Sequence, residues 1–237
     1  MGQNKVRIYL LYAIGEITLV MIGILLALQV SNWNQERAER NQLLTYYSRI
    51  HEELSDQLIY LEERKESVET LIRLNKKSIE LYNANNPDSL SKLVTTIGSL
   101  GTAWTPDYSF PNFDEFLSSE YFSKVQNIEI KKKLRTLKSV IVSGTINSQF
   151  TINQYQSVIE PYIIKNLNYQ NSAMPNYQEY LIPGGPKTDY SKFQNDLEFW
   201  NILSLKHENI HLSKRAIVRV EVSINELLSL LNQELSK

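Results

Sequence analysis

The chain of 237 residues contains no cysteine, so disulfides, thiolate nucleophiles and cysteine metal sites are excluded together. A domain of this size needs no covalent staples, so the absence fits either side of a membrane. Charge of one sign is lacking too: 25 Lys and Arg stand against 26 Asp and Glu, interspersed along the polar segments. No nucleic-acid partner is expected from such a balance. Alternating strands and hairpin turns are missing. So are a phosphate-cradling glycine loop, a GxSxG elbow and paired catalytic carboxylates.

What is present is one unbroken apolar run, Ile8 to Val30, holding a single acidic residue, Glu16. At helical rise it reaches roughly 35 Å, enough to cross a hydrocarbon core of about 30 Å. Tyr9 and Tyr12 lie at one end and Trp33 at the other, where amphipathic rings favour the interface. A cleaved signal peptide would show a shorter apolar region, about 7 to 15 residues, and a small-x-small cleavage site. This run ends instead in ALQVSNW. The expectation is a lasting single-pass tether in the lipid bilayer. Lys5, Arg7 and the terminal amine lie on one side of it; Arg37 and Arg40 lie on the other, mixed with Glu36 and Glu39. A short basic tail before a first apolar segment stays in the cytoplasm. Residues 1–34 are thus expected to be a cytoplasmic tail and membrane anchor, and residues 35–237 an extracytoplasmic helical-bundle domain.

Beyond the anchor, Leu43, Tyr47, Ile50, Leu54, Leu58, Leu61, Val68, Ile72, Ile79 and Tyr82 recur at spacings of three, four and seven, which is one helix face. No proline or glycine interrupts before Asn86-Pro87, so a stalk helix continuous with the membrane helix is predicted, bent near Ser31–Asn34. Its charged remainder has the composition of a bundle or coiled-coil helix. Pro87-Asp88-Ser89 opens a short helix ending near Gly98 to Gly101. The segment TAWTPDYSFPN is read as a loop; its aromatics Trp104, Tyr108 and Phe110, with Phe113 just beyond it, plug the bundle end. A short helix follows at Phe113–Ser118. Asn127 caps a long helix that Pro161 ends or kinks. Residues 169–191 are irregular, and a last long helix runs from Asp196 to Leu235. The fold class is all-α: three long helices with shorter ones, one extending into the membrane.

The stretch YLLYAIGEITLVMIGILLALQVSNWNQER resembles the opening of an uncharacterised membrane-protein family of Bacteroidota, domain-of-unknown-function family 6090. FDEFLSSEYFSKVQNIEIKKKL and DLEFWNILSLK are similar to later segments of it, with Ser119-Glu120 departing where the family has a glycine. The resemblance implies an inner-membrane protein with a helical domain. It carries no activity with it.

Two constellations bear chemistry. Glu16 shares a helix face with Tyr12, Val20, Gly23, Ala27 and Ser31. An ionisable group at that depth faces protein or water rather than lipid, and Gly23 with Ala27 lets another helix approach closely. The favoured reading is a protonated carboxyl hydrogen-bonding across a self-associating helix pair. The alternative is an ion-coupled membrane subunit. Residues 207–211 spell HExxH. In zincins the two histidines, here His207 and His211, hold zinc while the glutamate, here Glu208, polarises water. Lys206 before the motif and Ser213 after it count against that chemistry. A third ligand is also needed, and Glu226 and Glu234 are the candidates. The plainer expectation is a half-buried bundle histidine at His207. The run Lys131 to Lys138 is read as a solvated face, with Ile130, Leu134, Leu137 and Ile141 turned inward. Together these point to a non-enzymatic, cofactor-free module that is structural, scaffolding or sensing, and oligomeric. A membrane-tethered zinc hydrolase is the alternative.

Overall fold

The computed structural model describes the backbone of residues 3–236 and the side chains of residue 12 and residues 14–236. Helix α1 spans Gln3–Ala84, 82 residues without a break. The predicted bend at Ser31–Asn34 is therefore no interruption of the helix. From residue 14 to residue 38 it is exposed, and burial begins only where the apolar stripe does, at Tyr47, Ile50 and Leu54. The helix stops at Asn85, whose positive φ of 47° suits an asparagine. Asn85 donates from its side chain to Asn195 Oδ1 at 3.0 Å, joining this end to the start of the last helix.

Helix α2 (Pro87–Ser91) opens with a capping box made by Asn86 and Ser89. Two 3₁₀ turns carry the chain to Gly101. A Cβ at Gly98 would lie 2.5 Å from the Ser172 carbonyl oxygen, so only glycine permits this backbone-to-backbone packing. Helices α3 (Pro111–Ser118), α4 (Tyr121–Lys124) and α5 (Ile128–Gln154) follow. The Asn127 cap is formed as expected, its side chain accepting from the Glu129 and Ile130 amides.

Pro161 does not end the α5 run. A π-helical turn, Tyr155–Ile159, precedes α6 (Glu160–Asn166). The widened turn stands where the proline ring would crowd the preceding turn and leave a carbonyl without its amide partner. The expected irregular stretch contains two single turns, α7 (Tyr169–Ser172) and α8 (Pro175–Gln178). Helix α9 (Leu197–Leu235) closes the chain, capped by Asp196 through the Glu198 amide. Among the described residues there is no strand. The protein is all-α.

Ion pairs set the register. Lys65 meets Glu221 at 3.1 Å and Lys214 meets Glu69 at 2.8 Å, so α9 runs antiparallel to α1. Lys133 to Glu226 at 2.7 Å and Asn127 to Glu234 at 3.0 Å make α5 antiparallel to α9. The segment from residue 102 to residue 124 then descends the bundle flank and does not plug the bundle end. Tyr60 accepts from the Asp107 amide, Glu53 from the Asn112 and Phe113 amides, and Glu39 pairs with Lys124. The partners step down α1 as the segment advances. Glu53 thereby caps α3 from another helix, satisfying two amides that no side chain of α3 reaches. Phe113 and Phe116 are fully buried by this descent.

Candidate functional site

The core is divided. One apolar cluster joins Tyr47–Leu71 of α1 to Ile210–Leu231 of α9 and Ile130–Ile141 of α5. A second gathers Leu90–Leu100, Ile159–Leu167, Phe193 and Phe199–Leu203 at the distal end. Between them runs a band of polar side chains, each buried: Asn75 and Ser78 from α1, Thr96 and Thr102 from the 3₁₀ region, Lys206 and Asn209 from α9. Such a layer contributes less than apolar packing and must satisfy its own hydrogen bonds.

Lys206 is the unusual member. It is 3% exposed, and its Nζ donates to the Thr102 carbonyl. Burial alone lowers its pKa to about 8. Thr102 Oγ1 donates to the Ser99 carbonyl at 2.9 Å, and Ser78 donates to Thr96 Oγ1 at 2.7 Å. Asn75 donates to the Leu203 carbonyl at 3.4 Å, which turns its Oδ1 toward His207 Nδ1 at 3.0 Å. That contact makes Nδ1 the protonated ring nitrogen of His207. Burial, then neighbouring His211 and Lys76, depress its pKa. Asn209 Oδ1 and Ser213 Oγ are buried without a protein hydrogen-bond partner.

The HExxH motif therefore sits on a helix, with its first histidine half-buried and tied to α1. His207 and His211 have ring centroids 4.6 Å apart. Glu208 and His211 face outward and are exposed. The third-ligand candidates do not converge: Glu226 and Glu234 lie on the same straight helix, roughly 22 and 34 Å beyond His211 at helical rise. Glu226 pairs with Lys133, and Glu234 accepts from Asn127 at 3.0 Å. Among the described residues no group of three or more His, Asp or Glu is placed to hold a metal ion. The residues do not fit a zincin centre.

Of the membrane-helix residues, Glu16 is exposed, and a Cβ at Gly23 would meet nothing within 4 Å. Ala27 is exposed on the same face. Tyr12 is 75% and Trp33 59% exposed, and the Arg37 guanidinium lies 5.9 Å from the Trp33 ring centre. The side chain of Tyr9 lies outside the described residues. The Lys131–Lys138 run is a solvated face with Ile130, Leu134, Leu137 and Ile141 buried beneath it, and Lys138 pairs with Asp114 at 2.7 Å.

These features define an all-α protein with, among the described residues, one helix near the N-terminus long and apolar enough to cross a membrane. The chain belongs to a family of unknown function, DUF6090, whose model matches residues 16–141 and so reaches from the apolar segment into α5. The similarity at residues 196–206 lies outside that match. No curated protein and no solved structure matches the chain.

Proposed function

We propose that this chain is a single-pass inner-membrane protein whose periplasmic helical domain serves as a structural, scaffolding or sensing module in a homo-oligomer, without catalysis. One observation carries the reading. Helix α1 passes unbroken from the apolar segment into the bundle core, so the anchor and the domain share a backbone with no linker between them. A rotation or tilt of the membrane helix is then transmitted to the α1–α9 packing rather than lost in a loop. The exposed face of Glu16, Gly23 and Ala27 supports self-association, because a carboxyl at that depth needs a partner other than lipid.

The test exploits the absence of native cysteine. Ala27→Cys in the otherwise unaltered chain is expected to form a disulfide-linked dimer in native membranes after mild oxidation. Gly23→Leu and Glu16→Leu are expected to reduce that dimer severalfold. Glu16→Gln is expected to keep it, since an amide can stand in for a protonated carboxyl. A monomer in every case defeats the oligomeric reading, and release of the protein by alkaline carbonate defeats the anchor. Metal analysis addresses catalysis separately: zinc is expected below stoichiometry in the purified chain and unchanged in His207→Ala. Stoichiometric zinc that disappears in His207→Ala would replace this proposal with the hydrolase.

A further inference from the structure

The outer faces of α5 and α9 enclose a groove of about 380 Å³. One wall presents Arg215 and Arg219, one helical turn apart on α9; the other presents Ser139, Ser143 and Asn147, successive turns of α5. No acidic residue lines it. Among the described residues none of these five side chains has a hydrogen-bond or ion-pair partner, and all but Asn147 are exposed, whereas cations nearby on the same helices, Lys133 and Lys214, are paired with glutamates. Two arginines at this spacing repel each other and disfavour the bare helix. A guanidinium is weakly hydrated and presents a planar fork of donors that matches an oxyanion with two bonds at once. Facing it, two hydroxyls and an amide offer further donors to the same ligand.

We infer that this α5–α9 groove is a binding site for a small phosphate- or carboxylate-bearing molecule, clamped by Arg215 and Arg219 and oriented by Ser139, Ser143 and Asn147. With the apolar segment spanning a bilayer as proposed above, a lipid headgroup is not the occupant. The Lys214–Glu69 pair sets the groove level with Glu69, which at helical rise lies roughly 58 Å beyond Val30, far past the headgroup layer. The ligand is therefore soluble, and its binding does not depend on the self-association proposed above.

Calorimetric titration of the full chain in detergent, at ionic strength held with chloride, tests this with two probes, inorganic phosphate and succinate. Saturable binding of at least one is expected, and the tighter of the two identifies the ligand as phosphate- or carboxylate-bearing. Arg215→Gln with Arg219→Gln is expected to weaken it at least about tenfold with no fall in Tm, because the substitution removes a like-charge repulsion at exposed positions. Asn147→Ala is expected to weaken it by a smaller factor. Lys132→Gln, which removes an exposed cation elsewhere on α5, is expected to leave it unchanged. Absence of saturable binding by both probes, equal binding by the double variant, or equal loss in Lys132→Gln overturns the site.

Discussion

Replacing Lys206 by methionine is expected to raise stability near neutral pH and to lower it near pH 10.5. In the folded chain the ammonium is buried and its pKa falls from 10.5 to about 8. Between those values the unfolded chain binds more protons than the folded one, so stability rises with pH through that window. The depression corresponds to about 3 kcal/mol, present as a penalty at and below pH 8 and relieved by pH 10.5. Methionine removes the penalty but leaves the Thr102 carbonyl without its donor, which costs about 1–2 kcal/mol at every pH. The variant should therefore be more stable by about 1–2 kcal/mol at pH 7 and less stable by a similar amount at pH 10.5. Tyr47 and Tyr155, both raised to about 12 by burial, work in the opposite sense above pH 10, since the unfolded phenols ionise first. They act equally in both proteins and cancel in the difference. Urea titrations of the two chains in detergent at pH 7, 9 and 10.5 measure it. A difference that does not change with pH would mean that Lys206 titrates alike in the folded and unfolded chains, as a solvated ammonium does.

Much of this was legible beforehand, and the part that was not has a physical explanation. The three long helices follow from apolar spacing, and the start of α5 from the cap at Asn127, because amphipathic periodicity and N-cap chemistry are local signals. The half-buried His207 and the inward row under the lysine run followed from the same geometry. The polar band escaped notice because its members resemble surface residues. Asn75 and Ser78 look like gaps in the α1 stripe. Lys206 looks like a charge flanking a motif, yet its place in the series Leu203, Lys206, Ile210, Ser213, Ile217 puts it on the inward face of α9. That spacing was the available signal. The descent of residues 102–124 along the bundle could not be read at all, since an extended segment held by Tyr60, Glu53 and Glu39 of another helix has no periodicity of its own. The arginine groove was equally hidden, because it exists only where two helices distant in sequence lie side by side.

Phe199→Ala should unfold the distal half of the domain before the proximal half. Phe199 is fully buried, stacked on Phe193 at 4.4 Å and on Tyr162 at 6.1 Å, with Tyr82 edge-on at 5.7 Å. Truncating a phenyl ring in such a cluster costs about 3–5 kcal/mol, transfer and cavity together. In a single continuous core that loss would be felt throughout the bundle. Here the polar band interrupts apolar contact between Leu203 and Ile210 on α9 and between Leu71 and Ile79 on α1, and a layer of hydrogen bonds couples its neighbours less strongly than interlocked side chains do. The proximal cluster keeps its own buried phenyl rings, Phe113 and Phe116, and its own ion pairs from Lys65 and Lys214. Hydrogen exchange read by mass spectrometry should therefore show protection collapsing over residues 87–101 and 159–205 in Phe199→Ala. Residues 47–71 and 210–231 should retain most of theirs. Uniform loss across both regions would show that the band does not divide the domain into separately opening parts. Retained proximal protection would make the α1–α9 pairing nearest the apolar segment the firmer half of the domain. Under the function proposed above, it is the half to which motion of the membrane helix would first be delivered.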